Sequence, residues 1–391
     1  MSSTADFSAA LPPALAAHAR AVREHLGQAV TRAGGFLAFD AFMHEALYAP
    51  KLGYYVAGLP KLGADGDFVT APEVSPLFGR VIARNIADVL AAMPSEVVVE
   101  YGPGSGALAD AIIGWFVDHE LAIDYRLFDV SPDLAARQQQ RLARWMDQPG
   151  VRIKWMSEAP AERIDGVIVA NEVADALPVR RFNVTADGHR EIGIGVRDGE
   201  LVAAGREPSP AMLADLAAIA MRRGGEFPTG YRSEYAPSLA PWVARLVATL
   251  GNGLILLIDY GAGSREYYAD ERAGGTFRCH FRQRAVDDPL LAPGLMDMTA
   301  WVDFSVVADA AVAAGFDVIG FTTQAGFLVA GGLADEYDTA LDGSAMLAQA
   351  SAVKTLTLPG EMGERFRFIG LGRGTLPTIP GFGFQDLRHS L

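Results

Sequence analysis

The chain has 391 residues, half of them hydrophobic, with 33 basic residues against 47 acidic ones and a formal charge of −14. That length allows a large core, and that charge disfavours a nucleic-acid partner, because binding a phosphate backbone needs a basic surface. Cys279 is the one cysteine, so no internal disulfide can form and a reducing, cytoplasmic location is expected.

The N-terminus carries Asp6 early and a Pro12-Pro13 break, which argues against a signal peptide. Helices are predicted over 15–30, stopped by Gly34-Gly35, and over 39–47, with Asp40 near the start. Residues 50–79, rich in proline and glycine, read as a long loop. Loops of that length are functional or disordered, and the aromatics here argue against disorder. A surface Ω-loop is the plainer alternative.

From residue 95 onward, strands and helices alternate. Strands are predicted at 97–99, 125–128, 151–155 and 167–169. Helices are predicted at 108–117 and 134–145, the second opened by Ser131 as cap and Pro132. Alternation of this kind implies an α/β fold with a parallel sheet covered on both faces. An insertion over about 182–250 interrupts it: hairpins around Asp187-Gly188 and Asp198-Gly199, then helices near 209–222 and 238–250. A strand over 253–258, a helix over 304–314, and strands at 316–323 and 366–371 flanking a helical 333–354 segment complete the sheet. The stretch 310–334 is apolar-rich, but Asp317 and several glycines break it, so no membrane span is expected. The tail from Pro377 is expected to be loosely held. The expected domains are a helical region with its loop (1–94), the α/β domain (95–375) and the tail (376–391).

Residues 97–109 read VVVEYGPGSGALA. A buried strand ends at Glu100, and Gly102, Gly104 and Gly106 let a ligand approach the main chain before a helix begins. A dinucleotide is the obvious competitor, since residues 104–109 satisfy G-x-G-x-x-A. However, the loop comes late in the chain, Asp129 lies 25 residues past Gly104 where about 20 is usual, and Glu100 would repel a pyrophosphate. S-adenosylmethionine, which carries a sulfonium and an ammonium and no phosphate, suits Glu100 better. Asp129, closing the next strand in LFDVS, can accept both ribose hydroxyls. The bland alternative makes both acids ordinary strand ends.

A second constellation, IVANEVADALPVR over 168–180, ends a strand in Asn171 and Glu172, with Asp175 three residues on. Carboxylates at a strand tip can grip a cationic acceptor. The alternative is a helix N-terminus capped by Asn171 with Glu172 and Asp175 on its dipole. No HExxH, CxxC or GxxxxGK[ST] occurs and Cys279-His280 has no zinc-spaced partner, so no metal is expected.

With these motifs, the chain resembles the MidA-like class I methyltransferases, which include the mitochondrial complex I assembly factor acting as a protein arginine methyltransferase. The resemblance spans residues 35–372 and rests on GYYVAGLPKLGADGDFVTAPEVSPLFG, VVEYGPGSGALA, FDVSPDLAARQ, IVANEVADALPV, LILLIDYG, GGTFRC, MDMTAWVDFSVVA and LPGEMGERFRFIGLG. It implies a seven-stranded, Rossmann-like sheet with an N-terminal helical region and inserted hairpins and helices. It also implies that S-adenosylmethionine is held by Gly102, Gly104, Ser105 and Gly106 at its methionine end and by Asp129 and Val130 at the ribose. Asn171 and Glu172 would lie beside the methyl group, and Asp67, Thr70, Pro72 and Glu73 would cover the cofactor.

The implied reaction is SN2 methyl transfer to an arginine of a protein of the complex I subunit type, with Glu172, Asp175 and Glu73 orienting the guanidinium. A cofactor-binding assembly chaperone with little turnover is the rival reading. Ala174, Ser105 and Ala262-Gly263 depart from the family's usual residues, which makes the acceptor less transferable.

Overall fold

The computed structural model describes residues 11–57, 70–158, 160, 162–281 and 284–391. Packing divides the chain into two units: residues up to 68 with 175–239 and 262–303, and residues 69–174 with 240–261 and 304–391. The expected boundary at 94–95 is therefore not where the chain divides, because the helix Pro76–Ala91 buries its apolar face in the core of the second unit.

The second unit is built on a sheet path of seven strands. In spatial order they are Asp317–Thr323, Phe366–Arg373, Leu250–Ala262, Ile164–Asn171, Val97–Tyr101, Ile123–Phe128 and Val151–Met156. The last five run parallel, and Phe366–Arg373 lies antiparallel to both of its neighbours. Val97–Tyr101 is buried at every position, as expected of a strand covered on both faces. The chain leaves it for Ile123–Phe128 on one side and returns to Ile164–Asn171 on the other. It is thus the point where strand order reverses, and the crevice beyond its carboxyl end is where such sheets bind ligands. Register levels these ends: Tyr101 is opposite both Phe128 and Ala170.

The expected helices are present at Ala107–Asp118 and at Pro132–Leu142, the latter continued by the 3₁₀ turn Ala143–Trp145. Ser131 precedes the second but makes no side-chain cap. Its Oγ is buried without a hydrogen-bond partner, and its N–H donates to Asp129 Oδ1 at 2.8 Å. Two helices, one of a single turn and one long, correct the end of the loop reading of 50–79. Ala71–Val74 follows Thr70, and Pro76–Ala91 is capped by Ser75 Oγ, which accepts from Leu77 N. Asp67 lies outside the described residues.

The tail is not loose. Ile379 is 3 % exposed, Gly381 N donates to Asn85 Oδ1 at 2.8 Å, and Leu387 N donates to Phe321 O at 2.8 Å. Apolar residues within the Pro/Gly-rich sequence find a groove that composition alone does not reveal.

The first unit holds the helices Pro13–Arg32 and Phe39–Tyr48, both as expected, and an antiparallel sheet. Its hairpins are Arg180–Thr185 with Gly188–Arg197, and Gly188–Arg197 with Glu200–Arg206. The second turns on Asp198 (φ 53°) and Gly199 (φ 83°), the left-handed pair that a two-residue hairpin needs. The helix Pro210–Arg223 is where the sequence places it, and so is Leu239–Ala248, which from Ala240 onward belongs to the second unit. Residues 262–303 also join this unit, adding the small sheet of Arg278–Phe281, Arg284–Val286 and Asp297–Thr299. The insertion is thus larger than 182–250, because those strands are too short to announce themselves by periodicity.

Candidate cofactor site and its acidic strand tip

The three level strand ends bring the predicted residues of the second unit together. Glu100 is 2 % exposed and accepts a 2.8 Å hydrogen bond from Tyr125 OH, on the next strand. Burial, reinforced by the charge of Asp129 and opposed by the Tyr125 bond, pushes its carboxyl up from 4.5 to about 8. A cation placed nearby would favour its ionised form. Beyond Tyr101, Gly102, Gly104 and Gly106 all take positive φ (65°, 53° and 81°). A Cβ on Gly102 would stand 2.8 Å from Val173 Cγ2, so this stretch of main chain stays open because it lacks side chains. Gly106 ends the loop as the residue before Ala107–Asp118, leaving that helix's first N–H groups facing the loop.

Asp129 follows Phe128. Its Oδ1 accepts Ser131 N, and its Oδ2 accepts Gln138 Nε2 at 2.8 Å. Gln138 Nε2 also donates to Gly104 O at 2.9 Å, so one side chain fixes the ribose-binding candidate relative to the glycine loop. Val130 is 59 % exposed, an apolar surface next to that carboxylate.

At the third strand end the helix alternative fails: the strand ends at Asn171 and residues 172–177 run through bends and a turn. Glu172 has φ 54°, a conformation uncommon outside glycine and concentrated at functional sites. The cause is Asp259, at 2 % exposure, whose Oδ2 accepts the main-chain N–H groups of Val173 (3.2 Å) and Ala174 (2.9 Å). Glu172 N donates to Ile258 O at 2.9 Å. The main chain therefore reverses sharply, with the carboxylate at the tip. Asn171 Nδ2 donates to Glu172 Oε1 at 3.2 Å, while Asn171 Oδ1 is buried with no hydrogen-bond partner.

Glu73 sits in the first turn of Ala71–Val74, with Thr70 before it and Pro72 beside it. The expectation that Glu73 orients an acceptor guanidinium meets a different arrangement. The guanidinium it faces is this chain's own Arg141, 3.1 Å away, and Ser105 Oγ donates to the same carboxylate. Ser105 is thereby tied to Glu73 within the glycine loop. Asp175 belongs to the other unit, where it is 6 % exposed and its main-chain oxygen accepts Ala300 N. Burial, then Asp297 and Asp175, keep the hydroxyls of Tyr48 and Tyr55 protonated far above their ordinary value.

Sequence reasoning missed Asp259, Tyr125, Gln138 and Arg141. Asp259 had the signal that found Glu100 and Asp129, an acid ending a buried apolar run. The other three depend on register and helix facing.

The residues fit a nucleoside cofactor that carries cationic groups and no phosphate. A buried acid whose ionised form a nearby cation would favour stands beside the glycine loop, and the orphaned Asn171 Oδ1 suits an ammonium donor. Residues 81–322 match the family model described as "Putative S-adenosyl-L-methionine-dependent methyltransferase". The chain is 31 % identical over 385 residues to the protein named "Protein arginine methyltransferase NDUFAF7, mitochondrial" of Danio rerio, covering 90 % of this chain and 87 % of that one. Its identity to the Drosophila melanogaster homolog of the same name is 27 % over 375 residues, 86 % of this chain and 81 % of that one. A Burkholderia thailandensis crystal structure bound to S-adenosyl-homocysteine superposes with a TM-score of 0.90 at 38 % identity, covering 97 % of this chain and 99 % of that chain. With the site and these relatives in agreement, the chain belongs to the MidA-like family of S-adenosyl-L-methionine-dependent methyltransferases, and S-adenosyl-L-methionine is its cofactor.

Proposed function

We propose that the protein methylates a guanidinium nitrogen of an arginine in a protein substrate, of the respiratory complex I subunit type implied by the resemblance. Glu172 carries the reading: a carboxylate held at the strand tip in a left-handed conformation by the Asp259 clamp. Such a conformation costs about 1–3 kcal/mol, and a purely adhesive surface has no use for it. The two named relatives are both protein arginine methyltransferases, which supports the same acceptor.

When bound, S-adenosyl-L-methionine supplies a methyl group activated by its sulfonium. The chain's part is to present the acceptor nitrogen in line with the methyl–sulfur bond. Arginine is protonated at neutral pH, so its nitrogens are weak nucleophiles. Glu172 would accept hydrogen bonds from the guanidinium, draw its positive charge away from the attacking nitrogen and fix the angle of approach, and the proton that this nitrogen gives up on methylation would pass to solvent. Positioning and preorganised charge supply the acceleration. Glu73, engaged by Arg141, is not assigned to the acceptor.

The test is E172Q. Turnover should fall by about a hundredfold or more, as for loss of a preorganised electrostatic group, while S-adenosyl-L-homocysteine affinity stays within about twofold by calorimetry. Equal loss of both removes Glu172 from the acceptor role. Incubation with methyl-labelled cofactor and lysate should place label on arginine. Label on lysine or a small molecule overturns the acceptor, and tight cofactor binding without label favours the chaperone reading. Location is a separate proposal. The buried free thiol of Cys279 suits a reducing compartment, and the relatives' names place them in mitochondria. Fractionation of the native cells decides between them.

A further inference from the structure

Gln138 and Arg141 lie three residues apart on the helix Pro132–Leu142, hence on one face. Gln138 holds Gly104 O and Asp129 Oδ2. Arg141 reaches one residue further along the same loop. Its Nη1 donates to Ser105 Oγ at 2.9 Å and to Glu73 Oε1 at 3.1 Å, and its Nη2 faces Glu73 Oε2 at 3.5 Å. Ser105 Oγ, accepting from Arg141, donates in turn to Glu73 Oε1. One guanidinium thus joins the glycine loop, the helix Ala71–Val74 and the helix Pro132–Leu142, with Glu73 19 % and Arg141 35 % exposed.

The loop needs such anchors. Ser105 is flanked by two glycines with positive φ, and glycine occupies both signs of φ readily, so the loop's own torsions do not select one shape. Holding a loop in its bound conformation from outside removes that entropy cost from ligand binding. We infer that Arg141 is a positioning residue of the cofactor site. Through Ser105 and Glu73 it keeps the glycine loop in its binding shape and ties residues 71–74 to it, so that its loss speeds release of S-adenosyl-L-homocysteine. The inference rests on the cofactor assignment and not on the acceptor. A wild-type protein that binds S-adenosyl-L-homocysteine but labels no arginine would overturn the acceptor reading and leave this one standing.

The experiment compares wild type, R141Q, R141K, E73Q and E73Q/R141Q for S-adenosyl-L-homocysteine affinity by calorimetry and dissociation rate by stopped flow. R141Q should bind about tenfold more weakly, mostly through faster dissociation, as expected for lost charge-assisted hydrogen bonds. R141K should fall between, because an ammonium cannot span both partners as a planar fork does. The double variant should be no weaker than R141Q, since both substitutions break one unit. In the cofactor-free protein, amide exchange at Glu73, whose N–H donates to Thr70 O, should accelerate in R141Q. Wild-type affinity and dissociation in R141Q and R141K, or full additivity of E73Q and R141Q, would overturn the inference. Should R141Q fail to fold, R141K and E73Q carry the same comparison.

Discussion

Glu100 shows how one side chain couples the cofactor site to stability. Its carboxyl titrates at 4.5 unfolded and at about 8 in the folded chain, mainly through burial. Between those values the folded chain binds more protons than the unfolded one, so the contribution of Glu100 to stability is full below 4.5 and is lost as pH rises through 8. Melting of the cofactor-free protein, followed by calorimetry, should therefore include a Glu100-dependent fall in stability from about pH 5 to about pH 8. E100Q should remove that component and melt higher than wild type at the alkaline end, while binding S-adenosyl-L-methionine more weakly. An unchanged pH profile in E100Q would assign the fall elsewhere. Gly102 is constrained differently: its φ is 65° and an added Cβ would meet Val173 at 2.8 Å. G102A should cost about 1–3 kcal/mol in a denaturant melt, as for a strained left-handed residue, and weaken S-adenosyl-L-homocysteine binding sharply by calorimetry. Adding V173A relieves the contact but not the torsion, so recovery should be partial.

Strand ends and helix faces explain why scattered acids work as a group. Glu100, Asp129 and Asn171-Glu172 were legible because each ends or follows an apolar strand, and parallel strands in register bring such ends to one edge. Asp259 does the same from the neighbouring strand, yet its role is to clamp the turn behind Glu172, which no local pattern announces. The alternative, a helix after Asn171, does not form, because the N–H groups of Val173 and Ala174 go to that carboxylate. The tail teaches the same lesson from its composition. Pro377 onward reads as loose, yet Ile379 is buried and Phe382 packs edge-on against Phe327 at 5.2 Å. Deleting 377–391 should cost roughly 2–4 kcal/mol from the buried apolar surface alone and lower the melting temperature by several degrees. An unshifted calorimetric transition would show that the tail contributes nothing.

For the whole molecule, the alternation of apolar strands and amphipathic helices already determined an α/β sheet, and the spacing of acids and glycines already singled out the candidate cofactor site. These follow from local sequence, since burial on both faces demands apolar runs and a close main-chain approach demands glycine. The division into two units was not legible. The first unit gathers three separate stretches, including 262–303, and its strands of two to four residues at Arg278–Phe281, Arg284–Val286 and Val302–Asp303 carry too little periodicity to read. Nor could the sequence say that Glu73 would face Arg141, 68 residues away. Residue type and spacing decided which cofactor fits and which strand ends are the candidates to hold it. Tertiary structure alone decided which charge neutralises which, because pairing depends on register and helix facing, and neither is written in the neighbouring residues.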